Sequence, residues 1–275
     1  MVQADGLPST FAFEGGGDSQ GSRDYYLDLN YAFVDDLRLL ASVTRNRSDS
    51  QNNPITTRSI LLGFRTDPLE PLSVGVDLET WGKKGALETD TLRIVMDVSL
   101  QHWQFSLRPQ WRTLTISRSC VKINQQRCQF DTEVIDAEVK STGMSLDVSY
   151  YTNGPWSFSL SFARHQYDEK EKALGRWRPF QFSPATLELA TGLESRRRSV
   201  AVFYFSDNAL WSFSRLKSIP GSIPRVTSEA SFIHTLRFST DLNEQWRLRL
   251  RVGNQTLEKS GDQVNFASVG VTYRW

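Results

Sequence analysis

The chain has 275 residues, a formal net charge of +1 and a mean hydropathy of −0.41. A net charge this close to zero gives no reason to expect nucleic acid as a partner. The longest uninterrupted apolar run, Val200 to Phe205, has six residues, whereas a transmembrane helix needs about 20. Length and composition therefore leave two soluble domains or one large β-barrel as the main possibilities.

In chain order, the sequence begins with a weak strand pattern from Ser9 to Glu14, followed by a polar stretch from Glu14 to Ser22. The run of glycines in that stretch, Gly15 to Gly17, indicates a flexible connection between strands. Further along, segments of about 9 to 12 residues alternate apolar and polar side chains, which is the two-residue period of a β-strand. Asp90 to Leu100 and Trp246 to Gln255 are examples.

Two kinds of connection separate these segments. The short turns are Val34 to Asp36, Asp67 to Pro71, Gln101 to His102, Thr152 to Pro155, Ser206 to Asn208 and Asp241 to Gln245. The long polar connections are Glu14 to Ser22, Ser48 to Pro54, Gly82 to Glu88, Ser117 to Asp131, Asp168 to Arg196, Ile219 to Thr227 and Thr256 to Asp262. Their alternation predicts fourteen antiparallel strands, with both chain ends at the rim that carries the short turns. Twelve or sixteen strands remain open, because Asp168 to Arg196 is long enough to hide a hairpin.

Five of the eight tryptophans lie at that rim. They are Trp103, Trp156, Trp211 and Trp246, each within three residues of a short turn, and the last residue, Trp275. Tryptophan prefers the membrane–water interface, where its ring lies in lipid and its N–H reaches the headgroups. A soluble β-sandwich gives no reason for tryptophan to follow turns of one kind. The pattern therefore favours a membrane barrel with an interface girdle.

The last strand, Val264 to Trp275, alternates strictly and ends on an aromatic residue. With the repeated alternation and the tryptophans, it resembles the bacterial outer-membrane β-barrel superfamily, and in size the monomeric fourteen-stranded porins. The resemblance implies an all-β, up-and-down transmembrane barrel in the bacterial outer membrane, forming one domain over residues 1–275 with periplasmic termini and a long extracellular loop at about 168–196. It also implies a monomer without a cofactor. The expected partners are outer-membrane lipid and lipopolysaccharide, small polar solutes, and the barrel-assembly machinery, which would bind the C-terminal strand.

If the apolar face of each strand meets lipid, the polar face lines the lumen. Five arginines then point inward on neighbouring C-terminal strands: Arg237, Arg247, Arg249, Arg251 and Arg274. Across the barrel the inward charges are of both signs: Asp77, Glu79, Arg93, Asp97 and Arg108. We expect adjacent acid–arginine pairs to form ladders across strands. The clustered arginines either form a basic stripe that attracts anions or are solvated lumen residues without a substrate.

Cys120 and Cys128 are the only cysteines, and both lie in the polar segment Ser117 to Asp131. Export to an oxidising compartment would favour a disulfide that closes a short loop, and two free thiols are the alternative. Two cysteines without further ligands cannot form a zinc site. We predict the disulfide, on the condition that the chain is exported.

His165 is the one histidine whose predicted position, inward and near the outer rim, suits a catalytic base, with Asp168 close by. A solvated rim residue is the simpler interpretation. The sequence shows no nucleophile motif, metal-ligand cluster or phosphate-binding glycine loop.

The leading hypothesis is therefore a non-enzymatic channel for passive diffusion of small hydrophilic solutes, with an anion preference set by the arginines. The main alternative is the barrel component of an export or assembly system for polysaccharide, lipid or protein. A hydrolase that uses His165 is a less favoured alternative, and a soluble sandwich is another.

Overall fold

The computed structural model describes residues 8–34, 36–48, 55–83, 87–118, 135–167, 172–173, 196–206, 210–220, 230–258 and 260–275. Among these residues there is no helix that is both long enough and apolar enough to cross a membrane. Cys120 and Cys128 lie outside the described residues, so the disulfide stays a prediction.

Fifteen β-strands run through the described part of the chain. The first eight are β1 Thr10–Asp18, β2 Arg23–Val34, β3 Leu37–Ser48, β4 Ile55–Leu69, β5 Leu72–Lys83, β6 Leu87–Ser99, β7 Trp103–Arg118 and β8 Ile135–Tyr151. The others are β9 Trp156–Tyr167, β10 Lys172–Ala173, β11 Arg196–Phe205, β12 Trp211–Pro220, β13 Ser231–Asp241, β14 Trp246–Leu257 and β15 Gln263–Arg274.

Fourteen of these strands form one closed antiparallel ring. Each pairs with its neighbour in sequence, β9 pairs with β11 across the long connection, and β1 closes the ring against β15. The two-residue strand β10 adds to β8 outside the ring. At the seam the Trp275 amide donates to the Ser9 carbonyl at 3.1 Å, so both ends of the described chain lie at the same rim. The predicted fourteen-stranded barrel is confirmed.

The start of the chain differs from the prediction. Gly15 to Gly17 are not a connection but part of β1, which pairs with both β2 and β15. A Cβ on Gly16 would lie 2.6 Å from the Ala267 carbonyl oxygen, so glycine is required for close approach of β15 rather than for flexibility. The β1–β2 connection is only Ser19 to Ser22. The Asp18 carboxylate caps it by accepting hydrogen bonds from two backbone amides of the turn.

The two faces of the wall have opposite character. On β5 the side chain of Asp77 is 3% exposed, while its neighbours Val76 and Leu78 are 43% and 58% exposed. The same inversion holds around the ring, and buried apolar residues are few. Those among the described residues are Ala12, Val95, Leu114, Val139 and Ala201. Apolar surface of this extent needs lipid rather than water as its surroundings.

Candidate functional site: the inner wall of the barrel

The ring encloses a wide lumen. Fourteen strands about 4.8 Å apart and tilted by about 40° give a backbone diameter of about 28 Å. All the described ring strands form the wall, so in the described part of the chain the bore is lined by their inward side chains. Their charges therefore decide how the lumen interacts with a solute.

One side of the lumen, the balanced wall, consists of inward charges on β4 to β8. It contains four arginines and four carboxylates: Arg65, Arg93, Arg108, Arg112, Asp77, Glu79, Asp97 and Asp147. The strongest pair joins Arg65 to Asp77 through two hydrogen bonds of 2.6 and 2.9 Å. Gly63 and Gly75 leave space for this pair to lie flat against the strands, since a Cβ on either glycine would contact one of its two side chains.

Two further arginines of the balanced wall, Arg93 and Arg108, also form ion pairs. Arg93 lies 3.1 Å from Glu79 and 3.6 Å from Asp77. Arg108 makes an ion pair with Asp147 at 2.8 Å, and the Asp97 carboxylate accepts a hydrogen bond from the Ser106 hydroxyl. Asp97 and Arg108 are inward on adjacent strands but bind different partners. Opposite charges at matched positions cancel most of the field of this wall.

The other side, the basic wall, is formed by five inward arginines on β13 to β15: Arg237, Arg247, Arg249, Arg251 and Arg274. Three of the five are bound to carboxylates. Arg247 and Arg274 share Asp241, at 2.7 and 3.3 Å. Arg251 lies 3.5 Å from Glu14 and donates to the Ser268 hydroxyl at 3.1 Å.

Arg237 and Arg249 have no such partner. Among the described residues, no carboxylate lies within 4.0 Å of either guanidinium group. The Nε atom of Arg249 is enclosed and makes no hydrogen bond. Arg237 lies directly opposite Arg251 in the register of β13 and β14, so like charges face each other there. The basic wall therefore carries an excess of positive charge.

Sequence reasoning missed three of the carboxylates that organise these walls. Asp241 was assigned to a turn and Glu14 to the end of a weak strand, yet the two bind three of the five arginines. Asp147 was not singled out, although its inward position follows from the alternation of β8. Of the three carboxylates, only Asp147 could have been assigned to the lumen from the sequence, because the positions of Asp241 and Glu14 depend on where their strands end.

The five tryptophans stand exposed at the rim that holds the chain ends. Trp103, Trp156, Trp211 and Trp246 each begin a strand, and Trp275 follows the last one. Tyrosines on adjacent strands fill the spaces between them, with ring centroids 4.8 to 5.3 Å apart in four pairs: Trp103–Tyr150, Trp156–Tyr204, Tyr204–Trp211 and Trp246–Tyr273. The rings form a belt suited to the interface depth.

His165 does not form a catalytic pair in the described part of the chain. Its ring lies 3.2 Å from the amide nitrogen of Gln110 and fills the space left by Gly143. Asp168, its proposed partner, lies outside the described residues. Within the described ranges there is also no group of three or more His, Cys, Asp or Glu side chains that could hold a metal ion.

No protein-family model matches the sequence, and no curated protein matches it. Solved structures match in fold. The toluene transporter TodX of Pseudomonas putida aligns with a TM-score of 0.51 and 11% identity, over 98% of this chain and 89% of that chain. CdiB from Acinetobacter baumannii aligns with a TM-score of 0.52 and 10% identity, over 96% of this chain and 60% of that chain.

A structure of the KdgM porin in complex with disordered oligogalacturonate aligns with a TM-score of 0.44 and 8% identity, over 97% of this chain and 99% of that chain. The closed ring and its exposed apolar face give this chain the fold of a lipid-facing antiparallel β-barrel, and the TodX and CdiB structures share that fold.

Proposed function

We propose that the protein is a passive diffusion channel for small hydrophilic solutes and that it prefers anions. One observation carries the proposal: Arg237 and Arg249 lie on the inner face without a carboxylate partner in the described part of the chain. A side chain with a permanent positive charge, placed on the wall of a water-filled bore, attracts anions and raises their local concentration.

The arrangement of the other charges supports the same function. The balanced wall contributes little net field because its four arginines are matched by four inward carboxylates, three of them in ion pairs. Strands β4 to β8 therefore form a nearly neutral side and β13 to β15 a positive side, with two inward carboxylates, Asp24 and Asp28, on β2 beyond the seam. An anion entering the bore is drawn toward β13 to β15, and passage requires only that this attraction stays weak enough for release.

The test is single-channel conductance of the refolded protein in a planar bilayer, with the reversal potential measured under a KCl gradient. We expect steady conductance with preference for chloride. Replacing both arginines with glutamate, as R237E/R249E, removes two positive charges from the bore and adds two negative ones, and should reverse the preference toward potassium.

The matched control is R45E/R58E, which makes the same change in charge on the outer face of the barrel. It should leave the reversal potential unchanged. A folded, heat-modifiable barrel that gives no conductance would overturn the channel. Conductance with the same selectivity in R237E/R249E and the wild type would overturn the role of the basic wall.

A further inference from the structure

The outer face of the barrel carries a second group of arginines. The outer arginine cluster consists of Arg23 on β2, Arg45 and Arg47 on β3, and Arg58 on β4, all exposed. These residues lie at the strand ends farthest from Ser9 and Trp275, so they belong to the outer rim.

The side-chain alternation places this cluster on the lipid side of the wall. Each of three arginines lies two positions from an exposed residue of the outer face on the same strand: Tyr25 below Arg23, Val43 below Arg45 and Ile60 below Arg58. Side chains two positions apart share a face of a strand. At a strand tilt of about 40°, two residues span about 5 Å along the barrel axis. The guanidinium groups therefore lie at the boundary between hydrocarbon and headgroups.

The register brings like charges together in this cluster. Arg23 lies directly opposite Arg47, and Arg45 lies directly opposite Arg58. Like charges at opposing positions destabilise a sheet. For Arg23, Arg45 and Arg58, no carboxylate lies within 4.0 Å in the described ranges of the chain. The flanking strands supply no acid at this level either, since Arg23 pairs with Gly17 and Arg58 pairs with Gly82.

Two lysines of the outer face are treated differently. Lys140 lies 3.7 Å from Glu138, and Lys217 lies 3.2 Å from Glu258. Unlike these lysines, Arg164 and Arg215 are exposed on the outer face with no carboxylate within 4.0 Å among the described residues. The outer arginine cluster differs from these two arginines in placing four arginines on three adjacent strands. Within it, the charges of Arg23, Arg45 and Arg58 are not neutralised by any carboxylate of the described residues.

We propose that the outer arginine cluster binds the phosphate groups of an anionic lipid of the outer leaflet, of the bisphosphorylated lipid A type. Phosphate matches the planar, forked guanidinium group, which binds it through two parallel hydrogen bonds. A phosphate between Arg45 and Arg58 relieves the repulsion of that pair. The acyl chains of the bound lipid then lie against Tyr25, Val43 and Ile60, the exposed residues on the hydrocarbon side of the cluster.

The test measures lipid binding to the full-length barrel in detergent by native mass spectrometry, with bisphosphorylated lipid A as the probe. We expect a bound lipid that survives detergent transfer, and weaker binding of the same lipid after enzymatic removal of its phosphates. The variant R45Q/R58Q should bind lipid A roughly 30-fold more weakly, because each basic residue near an anionic surface contributes about fivefold.

The matched control is R237Q/R249Q, which removes two arginines from the inner face and should bind lipid A as the wild type does. Equal binding of lipid A and its dephosphorylated form by the wild type would overturn the proposal, and this comparison needs no variant to fold. Wild-type affinity in a heat-modifiable R45Q/R58Q barrel would also overturn it. Neither outcome affects the conductance measurement, so the lipid proposal and the channel proposal can be overturned independently of each other.

Discussion

The balanced wall and the basic wall are built from the same residue types but differ in where their carboxylates lie. On β4 to β8, Asp77, Glu79 and Asp147 lie within ion-pair distance of an arginine. On β13 to β15, Asp241 binds two arginines at the rim and Glu14 binds one, which leaves Arg237 and Arg249. The number of arginines therefore does not determine the field in the lumen. The field is determined by where the carboxylates lie relative to the arginines.

If the balanced wall is held together by its ion pairs, removing one partner there should be the most costly change. Arg65→Met leaves the almost fully buried Asp77 carboxylate with Arg93, at 3.6 Å, as its one cationic partner among the described residues. We expect the free energy of unfolding to fall by about 3 kcal/mol, because a buried charge loses its partner. Urea unfolding of the vesicle-inserted protein, followed by tryptophan fluorescence, measures it. The control Arg237→Met should cost less than about 1 kcal/mol, and equal losses would remove the distinction between the walls.

The glycines of the balanced wall give a second, smaller effect. A Cβ on Gly63 would meet the Asp77 carboxylate, so Gly63→Ala must displace a side chain that Arg65 holds with two hydrogen bonds. We expect a loss of about 1 to 2 kcal/mol in the same unfolding measurement. Gly154→Ala, at a turn where the nearest atom is 3.8 Å away, is the control. An unchanged midpoint in Gly63→Ala would show that the pair has room to move.

The smallest effect separates arginines within the basic wall. Arg249→Gln should lower the ratio of chloride to potassium permeability about fourfold, because unit charges about 10 Å apart in water interact by about 0.4 kcal/mol. This energy changes the local chloride and potassium concentrations about twofold each, in opposite directions. Arg247→Gln should change the ratio less, because Arg247 lies nearer the rim, beside Trp246, where bulk water and salt screen its charge more strongly. Reversal potentials under one KCl gradient provide the comparison. A larger change from Arg247→Gln would mean that depth in the bore does not rank these residues.

Much of the fold follows from local sequence patterns. The two-residue alternation and the tryptophans beside short turns are properties of each strand alone, and they predicted fourteen strands with both ends at one rim. The prediction of a connection at Gly15 to Gly17 was wrong, because glycine is rare in strands and was therefore not expected within one. Its reason here is the close approach of the β15 backbone, which lies about 250 residues away in sequence.

The inner wall was less predictable than the fold. Alternation indicates which face a residue occupies, but not which partner its side chain reaches. Arg108 binds Asp147, which is 39 residues away, whereas Asp97 accepts from Ser106. Identifying Arg237 and Arg249 as the arginines of the basic wall without a carboxylate partner in the described ranges required the positions of Asp241 and Glu14, both of which lie near predicted strand ends. Side-chain reach and strand stagger decide these contacts, and neither is a local property of the sequence.

The seam between β1 and β15 has a consequence for folding. The hydrogen bond between Ser268 and Glu14 joins residues 254 positions apart, so the step that closes the ring costs the loop entropy of nearly the whole chain. Until that step, the first and last strands are both unpaired edges inside a membrane that offers no hydrogen-bonding groups. A chain that lacks β15 does not lose one strand in fourteen. It stays an open sheet, and its two free edges would pair with any strand that reaches them, including those of another copy.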